Sequence, residues 1–518
     1  MANVASSYLF DLIKSMTKSE KRYFKVLSSR HRIGSENNYI RIFDFIDQLE
    51  HYDEEALFKK FDGETFLNKF SITKKRLQDS ILKALVAFHA NSSDDAVLYR
   101  MLHVVEVLYN KSLYKQAKKQ LYSAKRLAEK NEKHSLLIEI NDQIRKLFES
   151  SAYSSTDLNE IISLSKEDEI SAELVTYYSK LWRLKSNLFL VINQKGKVRC
   201  DKDKNAYETL KKEMIDLGNP SISSFDTVYL YNHTWAAFHY AVNNPNKSLE
   251  HLYLNLALFK KNKRKIKSTP NCYFSVLSNI IHFEFNNGDY KKAQVLLKEL
   301  KHFPDKNGIK FTEDLVIKHF CSTNSIALML FIRQGLFEKA TALSLQIEEG
   351  LIKYEDKITP IRKAYLAFNL SAAYFGMNDY KESLRWLNFT LNECPVDQKE
   401  DILAFAKLMN LVLHYELDNI DFLSYALKQT KHFLNKRQRN YLFEEHFLKH
   451  FTKLISADNI LTKELIFKSL YERLEELENK PMESIALEYF DFKSWAEAKG
   501  KNKSFASVKR ENYLSSLK

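Results

Sequence analysis

Apolar residues recur at three- and four-residue spacing through most of the chain, which is the period of one face of an α-helix. Two such runs are Leu102, Val105 and Leu108, then Ala117, Leu121, Ala124 and Leu127. Hydroxyl side chains that can cap a helix precede a proline at Thr269-Pro270 and Thr359-Pro360. Stretches that alternate apolar and polar residues, as strands do, are lacking. The pattern predicts an all-α fold.

An internal repeat organises the helical pattern. Four segments combine a short turn with an aromatic residue at the start of a helix and a small residue three positions later: Asn110–Ala117, Asn287–Ala293, Gln334–Ala340 and Met377–Ser383. A small residue lets two helices approach closely, and Gly or Asn in the turn can adopt a left-handed backbone conformation. Successive copies lie 43 to 47 residues apart, counted between Tyr290, Phe337 and Tyr380. A period of this length predicts stacked helix pairs, an α-solenoid.

The segment Ala367–Pro395 resembles one tetratricopeptide repeat. The positions that carry the resemblance are Leu370, Ser371, Tyr374, Asn378, Tyr380, Ser383, Leu387 and Pro395. The segment with Phe331, Gly335, Phe337 and Ala340 is similar to the same motif, and the resemblance extends over residues 95–435. The spacing exceeds the roughly 34 residues typical of that family, so the resemblance implies irregular, TPR-like repeats. It also implies a scaffold that binds proteins or peptides rather than a catalyst.

The two ends lack the repeat signature. We expect an N-terminal helical domain at 1–91, TPR-like repeats at 92–478, and a C-terminal cap with a basic tail at 479–518. In the first segment, a short helix at 53–61, a break at Gly63 and a longer helix at 73–90 fit a capping bundle. They also loosely fit a helix-turn-helix, in which Lys74, Lys75 and Arg76 would face phosphates. At the other end, aromatic residues between Phe490 and Trp495 should close the last repeat, and the tail from 499 should be mobile.

A peptide groove would lie on the first helices of the repeats, where the resemblance places residues facing a ligand. The candidates in this register are Ser278, Asn279, His282, Ser325, Met329, Phe368, Asn369 and Ala372. Packing between neighbouring repeats is the alternative explanation for all of them.

The net charge is +13, with 79 basic and 66 acidic residues. The densest basic run contains Lys260, Lys261, Lys263, Arg264, Lys265 and Lys267. It is interpreted either as a solvated loop between repeats or as a patch that binds an anion or an acidic partner.

The same composition argues against several kinds of site. The 10 glycines are too widely spaced for a phosphate-binding loop. Four distant cysteines form no CxxC pair and should be isolated core thiols: Cys200, Cys272, Cys321 and Cys394. His446 and His450 share a helix face but lack the HExxH order of a zinc protease. We therefore expect no catalytic, cofactor or metal site.

The N-terminal residues lack the basic start and apolar core of a signal peptide. The longest uncharged apolar stretch, 320–332, is too short and too polar to span a membrane. These features predict a cytoplasmic protein that does not act at a membrane.

The leading hypothesis is a non-catalytic scaffold that binds a protein or peptide segment on the concave surface of a TPR-like solenoid. The alternative is a TPR-type regulator whose N-terminal helices bind nucleic acid. A purely structural assembly component, or an enzyme of irregular helical architecture, is a further alternative.

Overall fold

The computed structural model describes residues 7–29, 37–154, 156–199, 201–219, 223–309, 312–393, 400–437, 439, 441–478, 480, 482–483 and 486–517. Within these ranges every regular element is helical. The all-α prediction is confirmed for this part of the chain.

The chain divides into two compact units, Met1–Ala172 and Glu173–Lys518. The boundary falls inside one long helix, Leu158–Lys195. The first unit therefore joins the N-terminal bundle to the first repeats. The second unit joins the remaining repeats to the C-terminal segment.

The described residues of the first unit form eight α-helices and the start of a ninth: α1 (Tyr8–Ser15), α2 (Lys18–Ser29), α3 (Asn38–Gln48), α4 (Glu54–Lys60), α5 (Phe70–Phe88), α6 (Asp94–Asn110), α7 (Tyr114–Lys130), α8 (His134–Ser150) and α9 (Leu158–Lys195). Helices α1 to α5 enclose one apolar core, and α6 to α9 enclose a second. The side chain of Asp53 caps α4, and Gly63 adopts the left-handed conformation that ends this short helix, with φ +82°. Helices α4 and α5 therefore lie close to the ranges predicted from the sequence, 53–61 and 73–90.

The second unit continues from α9 with α10 (Asp201–Leu217), α11 (Phe225–Ala241), α12 (Pro245–Lys261), α13 (Lys263–Ser268), α14 (Pro270–Asn286), α15 (Tyr290–Asn307), α16 (Glu313–Arg333), α17 (Phe337–Thr341), α18 (Ser344–Lys353), α19 (Pro360–Gly376), α20 (Tyr380–Asn388), α21 (Glu400–Glu416), α22 (Ile420–Lys436), α23 (Leu442–Ile455), α24 (Ile460–Glu478), α25 (Ala486–Tyr489), α26 (Phe492–Gly500) and α27 (Phe505–Ser516). Neighbouring helices pack as pairs joined by short turns, notably α11 with α12, α14 with α15, α19 with α20 and α21 with α22.

The turns within these pairs share one backbone geometry. The second residue before the new helix is left-handed at Ser112, Gly288, Gly335 and Asn378, with φ between +57° and +84°. The predicted small residues are fully buried: Ala117, Ala293, Ala340 and Ser383. The same turn recurs at Asn243 and Asp418, two copies whose sequences depart from the motif. The irregular TPR-like repeat is thus present as stacked helix pairs.

The aromatic residue of the motif packs beside the turn. Its ring contacts an aromatic residue at the end of the preceding helix in the pairs Tyr109–Tyr114, Phe285–Tyr290 and Phe375–Tyr380. Ring centroids are 5.2–5.6 Å apart, within the range of favourable aromatic contacts. Each turn is therefore held by side-chain packing as well as by backbone conformation.

Helix α16 is long and apolar enough to span a membrane by length and composition, with a mean hydropathy of 1.6. The uncharged stretch 320–332 is only part of that helix. Within the second unit α16 packs against α14, α15, α17 and α19, and it buries Leu315, Cys321 and Leu328. This is the packing of a core helix.

The C-terminal residues are ordered and packed, so the expected mobile tail is wrong. Helix α27 buries Phe505, Val508 and the stem of Lys509. Among the aromatic residues before it, Trp495 is almost fully buried on α26, which packs against α24 of the last helix pair.

The space around glycines within helices shows how closely neighbouring helices approach each other. A Cβ at Gly376 would overlap the ring of Phe337, whereas a Cβ at Gly500 would meet its nearest neighbour, the backbone of Lys468, at an ordinary 3.5 Å. We expect Gly376→Ala to lower the free energy of unfolding by about 1–3 kcal/mol through overpacking. Gly500→Ala is the matched control and should leave it unchanged or raise it by up to about 1 kcal/mol. Urea denaturation of both variants measures the difference, and equal midpoints would contradict the close approach.

Candidate functional site

The first helices of successive pairs present one common face, which we call the inner face. It includes Tyr240 on α11, His282 on α14, Arg333 on α16, Tyr365 on α19 and Phe405 on α21. These residues come together because the segment 486–490 of the same chain runs past them. The guanidinium of Arg333, for example, donates to the backbone carbonyl of Glu488 at 3.5 Å.

Tyr489 anchors this segment on the inner face. Its ring lies 4.6 Å from that of Phe405 and 6.4 Å from those of Tyr365 and Phe368. Burial raises the pKa of Tyr489 well above its usual value, since the phenolate would lose its hydration there. The inner face between α19 and α21 is therefore occupied by the protein's own C-terminal part.

This occupancy corrects two of the predicted groove residues. Phe368 is only 2% exposed and Ala372 only 3% exposed, and both belong to the large core that includes Phe490 and Phe505. They cannot contact a ligand while the C-terminal segment is in place. The segment that covers both residues comes from far along the chain, so no local pattern in the sequence marks it.

Three further candidates pack between repeats. The amide of Asn369 on α19 donates to the hydroxyl of Ser325 on α16 at 3.4 Å. Met329 packs partly buried against the core formed by α11 to α16. For these residues the structure is consistent with the packing explanation.

The remaining three candidates lie on α14, where the inner face is open. Asn279 is exposed, and Ser278 and His282 are partly buried. Asn279 and His282 line a half-open cavity of about 330 Å³ between α9, α11 and α14. Its wall also includes Phe189, His233, Ala237 and Tyr240.

The histidines of this cavity are held neutral. The His233 ring stacks between those of Phe189 and Tyr229, at 5.6 and 5.7 Å. Burial lowers the pKa of His233 to about 4, and the charge of Lys185 acts in the same direction. Burial also lowers the pKa of His282 to about 4. At neutral pH the cavity wall thus offers imidazole rings without positive charge.

A buried ion pair joins the segment after α9 to helix α23. The Arg199 guanidinium, after α9, donates to the Glu444 carboxylate of α23 at 2.9 Å. The two side chains are 2% and 1% exposed. A second carboxylate, Glu483, lies 3.4 Å from Arg199 and accepts the backbone N–H of Phe443 at 3.0 Å. The ring of Tyr441 completes the site, 4.0 Å from the guanidinium carbon.

A second ion pair, close to the first, holds the segment 486–490 in place. The Lys197 ammonium contacts the Glu488 carboxylate at 2.8 Å and lies 4.6 Å from the centre of the Tyr240 ring. Sequence reasoning missed Arg199, Lys197 and their partners. Because the residues of each pair are more than 240 positions apart, no local pattern marks them.

The basic run differs in structure from the loop interpretation, and the interpretation as an anion-binding patch stays a prediction. Residues Lys263–Ser268 form the short helix α13 and not a solvated loop. Lys265 is structural, since its ammonium lies 3.9 Å from Asp226 and 4.9 Å from the centre of the Phe225 ring. The other five basic residues are exposed: Lys260, Lys261, Lys263, Arg264 and Lys267.

Of the three predicted phosphate-facing residues of the first unit, one is likewise bonded within the protein and two are exposed. The Lys74 ammonium donates to the Tyr52 hydroxyl at 2.7 Å and to Glu54 at 3.4 Å. It is therefore engaged within the bundle. Lys75 and Arg76 are exposed on α5.

Both histidines that were compared with a zinc-protease motif contact another side chain of the protein. His450 contacts the hydroxyl of Ser469 at 3.2 Å, and His446 contacts Arg473 at 2.9 Å. Within the described ranges, no group of three His, Cys, Asp or Glu side chains is arranged to hold a metal ion. Cys321 is a buried free thiol and Cys272 a partly buried one, whereas Cys200 and Cys394 lie outside the described residues.

Comparisons with known proteins give structural similarity alone. No family model and no curated protein matches the chain. A solved structure that is similar to it is a STAND protein (signal transduction ATPase with numerous domains) with a tetratricopeptide repeat sensor, from Pyrococcus horikoshii. The match has 12% identity and a TM-score of 0.30, and it covers 100% of this chain and 67% of that one. The TPR-like architecture described above rests on the helix pairs and turns of this chain itself.

The buried ion pair yields a stability prediction. Arg199→Met should lower the free energy of unfolding by about 3–5 kcal/mol, because it leaves Glu444 as an uncompensated buried charge. Adding Glu444→Leu should recover part of that loss. Arg385→Met, which breaks exposed ion pairs with Glu382 and Glu348, should cost at most about 1 kcal/mol. Urea denaturation distinguishes these outcomes, and an Arg199→Met midpoint equal to that of Arg385→Met would refute the role assigned to the pair.

The neutral histidines predict a loss of stability in mild acid. A histidine whose pKa is depressed by folding stabilises the protein fully above its unfolded value of about 6.5, and the contribution is lost as pH falls toward the folded value. We expect the melting temperature to decrease as the pH is lowered from 6.5 to about 4. It should decrease less in the His233→Gln variant. His103→Gln, at an exposed position in the first unit, is the control and should leave the profile unaltered. A wild-type profile retained in His233→Gln would exclude this histidine as a source of the pH dependence.

Proposed function

We propose that this protein is a non-catalytic cytoplasmic scaffold that binds a segment of a protein partner on the open part of its inner face. The observation that carries the proposal is the segment 486–490, which lies along the same face a few helices away. The face therefore has the side chains needed to hold a stretch of polypeptide. Asn279, exposed on α14, lies where a second segment would enter.

The contacts of the bound segment indicate how a partner would be held. Glu488 contributes a carboxylate to Lys197 and a carbonyl to Arg333, while Tyr489 contributes a ring. Recognition thus combines an aromatic anchor with a few polar contacts, as protein interfaces commonly do. The exposed amide of Asn279 can supply the polar contacts on the open side.

A nucleic-acid-binding role for the first unit has weaker support. One of its three predicted phosphate contacts, Lys74, is bonded within the bundle. The exposed Lys75 and Arg76 alone form a small basic surface. Such binding would weaken steeply with salt, which separates it from binding at the inner face.

Photocrosslinking from Asn279 tests the proposal. A benzoylphenylalanine placed there should crosslink a discrete protein in native cytosol treated with nuclease, at a salt concentration of about 0.3 M that screens surface charges. The same group at Gln294, exposed on α15, is the matched control and should not crosslink that protein. Identical products from both positions, or no protein product from Asn279, would contradict the proposal.

A further inference from the structure

The repeat register relates the occupied and open parts of the inner face. Phe368 stands ten residues before the left-handed turn residue Asn378, and His233 stands ten residues before the left-handed Asn243. Because the turns share one geometry, equal distances from them mark equivalent positions on the first helices. Phe368 on α19 and His233 on α11 are therefore counterparts.

Other positions correspond in the same way. Ala372 stands six residues before its turn residue, as do Ala237 on α11 and His282 on α14. Asn369 and Asn279 each stand nine residues before theirs. Phe368, which contacts Tyr489, thus has a counterpart in the wall of the 330 Å³ cavity, His233. The wall also uses the register positions of Asn369 and Ala372.

The two places differ in what they contain. At α19 and α21, the ring of Tyr489 fills the space beside Tyr365, Phe368 and Phe405. At α11 and α14, the space remains as the cavity, whose wall includes Phe189 and Tyr240. The second place also has aromatic side chains in its wall, but no ring is inserted into it from the described residues.

The residues that line this cavity also limit the charge of an occupant. All are apolar, aromatic, amide, hydroxyl or imidazole side chains. Both imidazoles are neutral at pH 7, since burial lowers the pKa of each to about 4. An ammonium or carboxylate entering the cavity would lose hydration without finding an opposite charge on the wall.

We propose that the cavity between α9, α11 and α14 is a specificity pocket that takes an uncharged aromatic side chain (Phe, Tyr or Trp) of the bound partner segment. The aromatic side chains of the wall can make ring contacts with a planar guest, and Asn279 at the rim can bond to the backbone of the segment that carries it. This inference deepens the proposed function by naming the chemistry that the open part of the inner face selects.

Blocked amino acids test the pocket directly. We expect N-acetyl-tryptophan amide to bind the full-length protein in the millimolar range by calorimetry, and N-acetyl-lysine amide and N-acetyl-glutamate amide to bind at least about tenfold more weakly. Ala237→Phe should fill the cavity and weaken binding of the tryptophan amide at least about tenfold. Ala257→Phe, at an exposed position on α12, makes the same change outside the pocket and should leave binding unaltered.

A blocked pentapeptide with one central tryptophan distinguishes a peptide site from a site for a free aromatic compound. Its backbone should add contacts at the rim and tighten binding at least threefold over the amide. Equal affinity would overturn the assignment to a partner segment. Failure of the tryptophan amide to bind, or equal binding by wild type and Ala237→Phe, would overturn the pocket.

The pocket and the scaffold role can fail separately. If Asn279 still crosslinks a discrete partner while no aromatic amide binds, the partner uses the face without inserting a ring, and only the pocket is wrong. Circular dichroism and thermal melting of Ala237→Phe confirm that its loss of binding is not a loss of fold.

Discussion

The buried contact between Arg199 and Glu444 is the constraint on which the second unit depends. A charge removed from water is costly unless an opposite charge and further hydrogen bonds replace its hydration. Here Glu483 and the Tyr441 ring complete the shell around the guanidinium, and a backbone N–H adds to Glu483. Because the partners are 245 residues apart, these requirements are met only when the whole array of helix pairs is assembled. The pair therefore selects one arrangement of the array over similar ones with the same apolar packing.

The repeats themselves are held by local rules. A left-handed turn residue, an aromatic ring beside it and a buried small residue recur in each clear copy, and together they fix how two helices meet. The copies differ at other positions, which lets each pair present different side chains to the inner face. Regular turns combined with variable faces explain how one repeat motif provides both the support for Tyr489 and the open cavity.

Local features were predictable from the sequence, whereas long-range ones were not. The turns at Gly288, Gly335 and Asn378 and the buried Ala293 and Ala340 follow from backbone conformation and side-chain size, so their positions could be predicted. The cover over Phe368 could not, because residues 486–490 reach it through tertiary packing. The candidate site shows the same division. The repeat register predicts its helix face, whereas Phe189 and His233 line it only because α9 and α11 pack there.

The use of residues 486–517 as a cover has a consequence for synthesis of the chain. Phe368, Phe375 and Phe405 are made well before the residues that bury them, so a wide apolar surface stays exposed on the nascent protein. Exposed surface of this kind promotes aggregation of incomplete chains. The second unit can therefore be completed only after residues 486–517 have been made, later than a solenoid with a purely local core could be.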